Sequence, residues 1–524
     1  MYRSTMDKEA FIGSIDQGTT STRFLIFNVQ GGIEASHQME HKQIYPHPSW
    51  VEHDPKEILD NIMTCIERGV SQFVQKGYRA SQIKAIGLTN QRETTVVWDK
   101  STGKHLTNAI VWSDARTTKT VEKLNKRKGA DQVHAKCGLP LSTYFAAVKL
   151  TWMLEHLPVV RECREAGNLC FGTIDSWVLY NLTGGINGGL HITDASNASR
   201  TMLCNIKTLN YDESLVKDFW QFEGIHLPEV VSSSEIYGEI PAGPLKGIPV
   251  AGILGDQSAA LVGQLCFEEG TAKSTYGTGS FLLMNTGEEP VISKNGLLTT
   301  VGYQFGRDAK PVYALEGSIA VAGSAIKWTR DQLGLISDAA EIGELASQVK
   351  DTGGVVFVTA FSGLFAPYWR DDARGTILGL TAYSTKQHIA RATIEATCFQ
   401  TKAILDAMSQ DSGKALAALR VDGGMTNSDV IMQIQADIIG ISVERPQMRE
   451  STALGSAIAA GLAVGIYKSI DELKNVNQLG MTEFVPKNDE KDRAKRYKLW
   501  NKAVERAVGW LNDDDEEEEE ERQK

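Results

Sequence analysis

The chain has 524 residues, 42% hydrophobic and 23% charged, which suits two or three globular domains and excludes collagen-like, disulfide-scaffold and mainly disordered classes. With 54 basic against 65 acidic residues the net charge is −11. Of this, −7 lies in the stretch 513–524, so the body is nearly balanced and lacks the basic field that draws nucleic acid.

In chain order, residues 11–15 read as a buried strand, 16–22 as a polar turn and 23–28 as a second strand. Gly31-Gly32 turns into a third strand at 33–38. His37, His41, His47 and His53 lie in polar surroundings and are expected at the surface. Asp54-Pro55 reads as an N-cap and first-turn proline opening a helix to about residue 76, with Ile58, Ile62, Cys65, Ile66 and Val70 on one face. Strands at 84–88 and 94–98 and a helix at 145–157 follow.

A second cycle begins with a strand at 248–254 and a helix at 257–265. Strands at 271–275 and 281–285 flank a glycine-rich turn. A helix is expected at 318–333, a strand at 354–359 and a long helix from Thr385 to about 408. A strand at 418–421 ends at Asp422-Gly423-Gly424, before helices at 427–439 and 453–466. Both halves open on a hairpin and continue in alternating strands and helices. This rhythm predicts a duplication: two α/β domains facing each other across a cleft. The acidic end 513–524 is expected to be a solvated, disordered tail.

Seven scattered cysteines, an odd number without CxxC, read as reduced and mostly buried thiols rather than a zinc site or disulfide frame. The opening residues lack a secretory h-region, and the longest apolar run, 453–467, is too short to span a bilayer. A cytoplasmic protein without integral membrane association is therefore expected.

Five motifs are candidates for chemistry, and each has a plainer reading beside it. In 16–23, DQGTTSTR, a glycine and four hydroxyl residues suit phosphate binding. Arg23 is placed to neutralise phosphate, and Asp16 to hold a hydrated Mg²⁺. The plainer reading is a polar hairpin. Residues 276–280, YGTGS, form the equivalent turn of the second half, and two such hairpins could clamp a triphosphate from both sides. No Walker loop or dinucleotide fingerprint is present. Asp422-Gly423-Gly424, a strand running into a helix start, suits a phosphate or adenosine edge or is a plain βα turn. Arg92-Glu93, beyond a strand end, suits the vicinal hydroxyls of a small polyol or is a surface ion pair. Asp256, opening a helix in Gly255-Asp256-Gln257, suits proton acceptance from an attacking hydroxyl or is an ordinary cap.

Taken together, these motifs resemble the FGGY family of carbohydrate kinases over about residues 10–510, most closely its members that phosphorylate glycerol. Residues 144–156 fit one family signature, except that Ala146 replaces the usual Pro, Ser or Thr. The second fits through Gly375, Ile377, Gly379, Leu380, His388, Ile389, Ala392, Thr393, Ile394 and Glu395. The resemblance implies an α/β protein of two actin-like, ribonuclease-H-like domains with nucleotide and substrate between them. They would be an N-terminal domain at 10–257 on the polyol side and a C-terminal domain at 258–512 on the nucleotide side.

It also implies ATP-dependent phosphorylation of glycerol, giving ADP, with Mg²⁺ linked to Asp16. The glycerol pocket would comprise Arg92, Glu93, Trp112, Tyr144, Asp256, Gln257 and Phe281, with Asp256 catalytic. The nucleotide side would comprise Thr19, Thr20, Ser21, Arg23, Thr278, Gly323, Lys327, Gly424 and Ser428. Lys327 replaces a common Gln and Ser428 a usual Asn, with Asn427 adjacent. Gly247 stands where some members carry an Arg that binds a regulatory sugar bisphosphate, so that regulation is not carried over. A homodimer or homotetramer is implied. The alternatives are a family member acting on another polyol or ketose, and a nucleotide-switched, actin-like interaction protein.

Overall fold

The computed structural model describes residues 9–477 and 480–511; the acidic end expected to be disordered lies outside them. The first half is organised on a six-stranded sheet. Its strands are β1 (Phe11–Gln17), β2 (Ser21–Asn28), β3 (Ile33–Glu40), β4 (Ile83–Asn90), β5 (Ser234–Glu239) and β6 (Pro249–Gly255), in the order β5-β6-β4-β1-β2-β3. β1, β2 and β3 are an antiparallel meander, whereas β4 and β6 run parallel to β1.

The second sheet comprises β7 (Ala272–Tyr276), β8 (Ser280–Gly287), β9 (Leu298–Tyr303), β10 (Val312–Ile319), β11 (Ala418–Gly423), β12 (Ser442–Arg445) and β13 (Thr482–Phe484). Its order is β9-β10-β8-β7-β11-β12-β13. Again an antiparallel β7–β8–β10 meander continues into two parallel strands, β11 and β12. The five-strand cores thus repeat, as the predicted duplication requires, but the strand at 248–254 expected to open the second cycle is β6 of the first sheet.

Helix α1 (Pro55–Gln75) packs on the first sheet through the expected stripe, and Asp54 caps it by accepting from the Lys56 amide at 2.8 Å. Helix α2 (Ala146–His156) is buried from Ala146 to Leu150 and at Trp152 and Met153, with its last two residues exposed, and lies beside a small four-stranded sheet. Helix α3 (Asp256–Gly263) leaves the end of β6 and packs against β7, β8 and β9 of the second half. Conversely, α7 (Ser451–Ala463), which follows α4 (Gly323–Asp331), α5 (Lys386–Ser412) and α6 (Asp429–Ile439), packs on β1, β4 and β6. The Ser14 and Ser456 hydroxyls meet there at 2.8 Å. Each half therefore lends a helix to the other, and one apolar core including Ile12, Leu254, Leu261, Leu283, Ala457 and Ile458 runs between the sheets.

Three expectations are corrected. The first turn is shorter than 16–22. Asp16 pairs with Arg23 and Gln17 with Thr22 in the ladder, and only Gly18–Thr20 remain as the turn, closed by the Gly18 amide on Ser21 O at 2.9 Å. Backbone pairing here overrides side-chain polarity. Residues 318–319 end β10, where Ile319 pairs with Ser280, and the helix begins only at Gly323. His41 and His53 are buried, not superficial. Their rings meet edge to face at 4.7 Å, and hydrogen-bonding groups are brought to them by distant residues. Among the described residues all seven cysteines are unpaired and six are buried. No described helix is long and apolar enough to cross a membrane.

Candidate active site

β4 delivers its C-terminal end beside that of β6, with Asn90 opposite Gly255. The chain then turns sharply, and Glu93 takes a left-handed backbone with φ of 59°, a costly conformation for a residue with a Cβ. The turn sends Arg92 and Glu93 to different partners. Arg92 donates from Nη1 and Nη2 to both oxygens of Glu316 on β10, at 2.6 and 2.8 Å, and its Nε lies 3.1 Å from Asp256 Oδ1. Glu93 Oε1 accepts from Arg200 Nε at 2.5 Å, and Arg200 Nη2 reaches Glu316 Oε1 at 3.3 Å.

These four charges alternate in sign, and none is more than 2% exposed. Burial opposes the charged form of Glu316, but Arg200 and Arg92 outweigh it and hold the carboxyl down at about 2. At Glu93 burial prevails over the same two guanidiniums and pushes the carboxyl up. The quartet fixes the Arg92 side chain while leaving one N–H on each of its terminal nitrogens for a ligand.

Asp256 opens α3 with its side chain 28% exposed. Its Oδ1 is held twice, by Arg92 and by the Gln257 amide at 2.7 Å. The Gln257 Oε1 accepts from Lys273 Nζ. Three rings adjoin: Trp112 lies edge to face with Tyr144 at 5.4 Å and with Phe281 at 5.8 Å. Trp112 Nε1 donates to Thr19 Oγ1 at 2.9 Å, tying this pocket to the first hairpin.

The first hairpin is supported from below. Thr19 O accepts from His41 Nε2 at 2.7 Å and from Gln43 Nε2 at 2.9 Å. Thr20 is exposed, Ser21 is buried, and Arg23 is ion-paired with Glu450. Burial raises Asp16 to about 6 even though Arg23 opposes it; Glu450 and Asp256 add to the rise. No hydrogen bond reaches the Asp16 carboxylate from the described residues.

The second hairpin docks on the start of α4. Thr278 O accepts from the Ala322 and Ser324 amides, both at 3.0 Å, and Gly277 O from the Gly323 amide at 3.1 Å. A Cβ at Gly323 would lie 2.5 Å from Gly277 O, so only glycine permits this approach. Gly423, with φ of 92°, is likewise confined to glycine by Tyr276 O. Gly424 follows, exposed, and Lys327 is exposed one turn into α4. Ser428 caps α6, accepting from the Ile431 amide at 3.4 Å.

The structure therefore brings Arg92, Glu93, Trp112, Tyr144, Asp256, Gln257, Phe281 and Thr19 together, and separately gathers Thr278, Gly323 and Gly424 around the second hairpin. Sequence reasoning missed Arg200, Glu316, Lys149, Lys273 and Glu450. The available signal was a lone charge inside an apolar run, Lys149 in FAAVKLTWM and Glu316 in VYALEGSI.

Residues 11–263 match the N-terminal domain, and residues 272–464 the C-terminal domain, of the FGGY family of carbohydrate kinases. Glycerol kinase 1 of Streptomyces avermitilis is 53% identical over 510 residues, covering 96% of this chain and 98% of the relative. Glycerol kinase of Clavibacter michiganensis is 52% identical over 506 residues, covering 96% and 99%. Among solved structures, Plasmodium falciparum glycerol kinase with ADP superposes with a TM-score of 0.88 at 40% identity, covering 95% of this chain and 98% of that one.

Proposed function

The chain belongs to the FGGY family of carbohydrate kinases, and from that premise we propose that it transfers the terminal phosphoryl group of ATP to a terminal hydroxyl of glycerol, giving sn-glycerol 3-phosphate and ADP. The observation that carries this reading is the Arg92–Asp256 contact beside the three rings, tied to the first hairpin through Trp112 and Thr19. The rings offer apolar walls to three carbons. The remaining N–H groups of Arg92, the second oxygen of Glu93 and the Gln257 amide suit the hydroxyls.

Asp256 does the proton work. Its Oδ1 is occupied by Arg92 and Gln257, and Oδ2 is left to accept the proton of the attacking hydroxyl. The new bond joins the alcohol oxygen to phosphorus, the bond from phosphorus to the bridging oxygen of ADP breaks, and the proton passes later from Asp256 to solvent. In a loose phosphoryl-transfer transition state that proton moves late, so alignment by the quartet counts for more than basicity. The hairpins supply backbone and hydroxyl donors for the phosphates.

Asp16 is our assignment for Mg²⁺. A carboxylate that accepts no hydrogen bond among the described residues, and that burial disfavours as a bare anion, suits a hydrated cation. Among the described residues no group of three or more His, Cys, Asp or Glu is arranged to hold a metal. When bound, Mg²⁺ neutralises phosphate charge. A cytoplasmic location fits the unpaired thiols, and the dimer or tetramer implied by the resemblance is testable by light scattering.

The test is ADP release from Mg-ATP with and without glycerol, with xylulose, gluconate and ribulose as competitors. Strong dependence on glycerol supports the reading. Turnover indifferent to every polyol supports a nucleotide-switched interaction protein instead.

A further inference from the structure

Two buried ammonium groups border the polyol pocket, and the transfer chemistry above uses neither. Lys149 lies in α2 and Lys273 in β7, both at 0% exposure. Burying a lysine is costly unless its protons find acceptors, so where the three protons go is informative. Lys149 Nζ donates to Thr143 O and Tyr144 O, both at 2.7 Å, and to Trp112 O at 3.4 Å. Lys273 Nζ donates to Gln257 Oε1, to Thr275 Oγ1 at 3.1 Å and to Phe281 O at 3.3 Å. Neither is in an ion pair among the described residues. Between them they hold the main chain of all three rings and the side chain of Gln257, one lysine from each half of the chain.

Building on the functional reading above, we propose that Lys149 and Lys273 are positioning residues for the polyol. Lys149 fixes the Trp112 and Tyr144 walls, and Lys273 fixes the Phe281 wall and the Gln257 amide. Their influence falls on polyol binding rather than nucleotide binding, because no donor of either reaches a hairpin tip.

Protonation bears on the same tethers. Burial lowers Lys149 to about 7, with Arg116 acting in the same direction and Glu93 and Asp114 opposing. Burial lowers Lys273 to about 8, with Arg92 acting in the same direction and Asp422, Glu316 and Asp256 opposing. Above these values a neutral amine has two protons to give where the ammonium has three, so each lysine loses one tether as pH rises.

The experiment measures KM for glycerol and for ATP in the full chain, wild type against Lys149→Met and Lys273→Met, with melting curves to confirm folding. We expect each substitution to raise KM for glycerol by about tenfold or more while KM for ATP moves less than about threefold. In the wild type, KM for glycerol rises between pH 6.5 and pH 9 while KM for ATP stays flat; this arm carries the test if a variant fails to fold. Equal proportional rises in both constants, or an unchanged glycerol KM in a folded variant, overturn the positioning role alone. A wild type without glycerol-dependent ADP release overturns the functional reading and this proposal with it.

Discussion

The proposed polyol pocket and the proposed nucleotide side use different materials. The pocket is made of side chains: two arginines, two glutamates and two lysines, all buried and all committed to fixed partners, around three aromatic rings. The proposed nucleotide side is made chiefly of glycines, hydroxyls and main-chain groups, with Arg23 and Lys327 as its cationic side chains, and Thr20, Thr278, Gly424 and Lys327 stand exposed. A neutral, flexible alcohol offers only hydroxyl directions to recognise, so its site must be rigid before it arrives. A triphosphate brings its own charge and can be gripped by backbone donors on turns. The contrast teaches that substitutions in the pocket should act on one substrate at high cost, and those at the hairpins on the other at lower cost.

The sharpest way to break that contrast is Asp256→Asn. We expect turnover to fall by roughly 10²–10⁴-fold, with ATP affinity by calorimetry nearly unchanged. Next is Glu316→Gln, which strips Arg92 and Arg200 of their shared anion. Breaking a buried pair of this kind costs about 3–5 kcal/mol, to be read from urea unfolding, and glycerol KM should rise more than ATP KM. The Glu316 carboxyl titrates below its ordinary 4.5, so its stabilisation is whole above that pH and is lost as pH falls toward about 2; the variant should lack that acid limb.

On the other side, Gly323→Ala places a methyl against Gly277 O and should raise ATP KM by about tenfold, equivalent to about 1.4 kcal/mol, with glycerol KM little changed. The smallest effect belongs to Lys327→Ala. As an exposed charge it should alter ATP KM by less than about fivefold.

How far the sequence reaches follows the same divide. The hairpins are legible because glycine and hydroxyl clusters between short strands have local turn chemistry, although ladder pairing shortens the first turn to Gly18–Thr20. The rhythm of elements also carries the repeat of the two sheets, since periodicity is a local property. The pocket's ends, Arg92-Glu93 and Asp256-Gln257, are visible as charges at strand ends. Their partners are not. Arg200 is 107 residues from Glu93, and Glu316 is 224 residues from Arg92, and no local pattern announces such a pairing. His41 and His53 mislead for the same reason: their neighbours in sequence are polar, but Thr19, Gln43 and Gln91 supply the bonds that let them be buried.

The central claim is that a preformed pocket aims one small alcohol, and not water, at the end of a triphosphate. Phosphorus NMR of Mg-ATP turned over with glycerol tests it most directly. ADP and a single phosphomonoester on a terminal carbon are expected in equal amounts. ADP accompanied by inorganic phosphate instead, with glycerol unmodified, would contradict it.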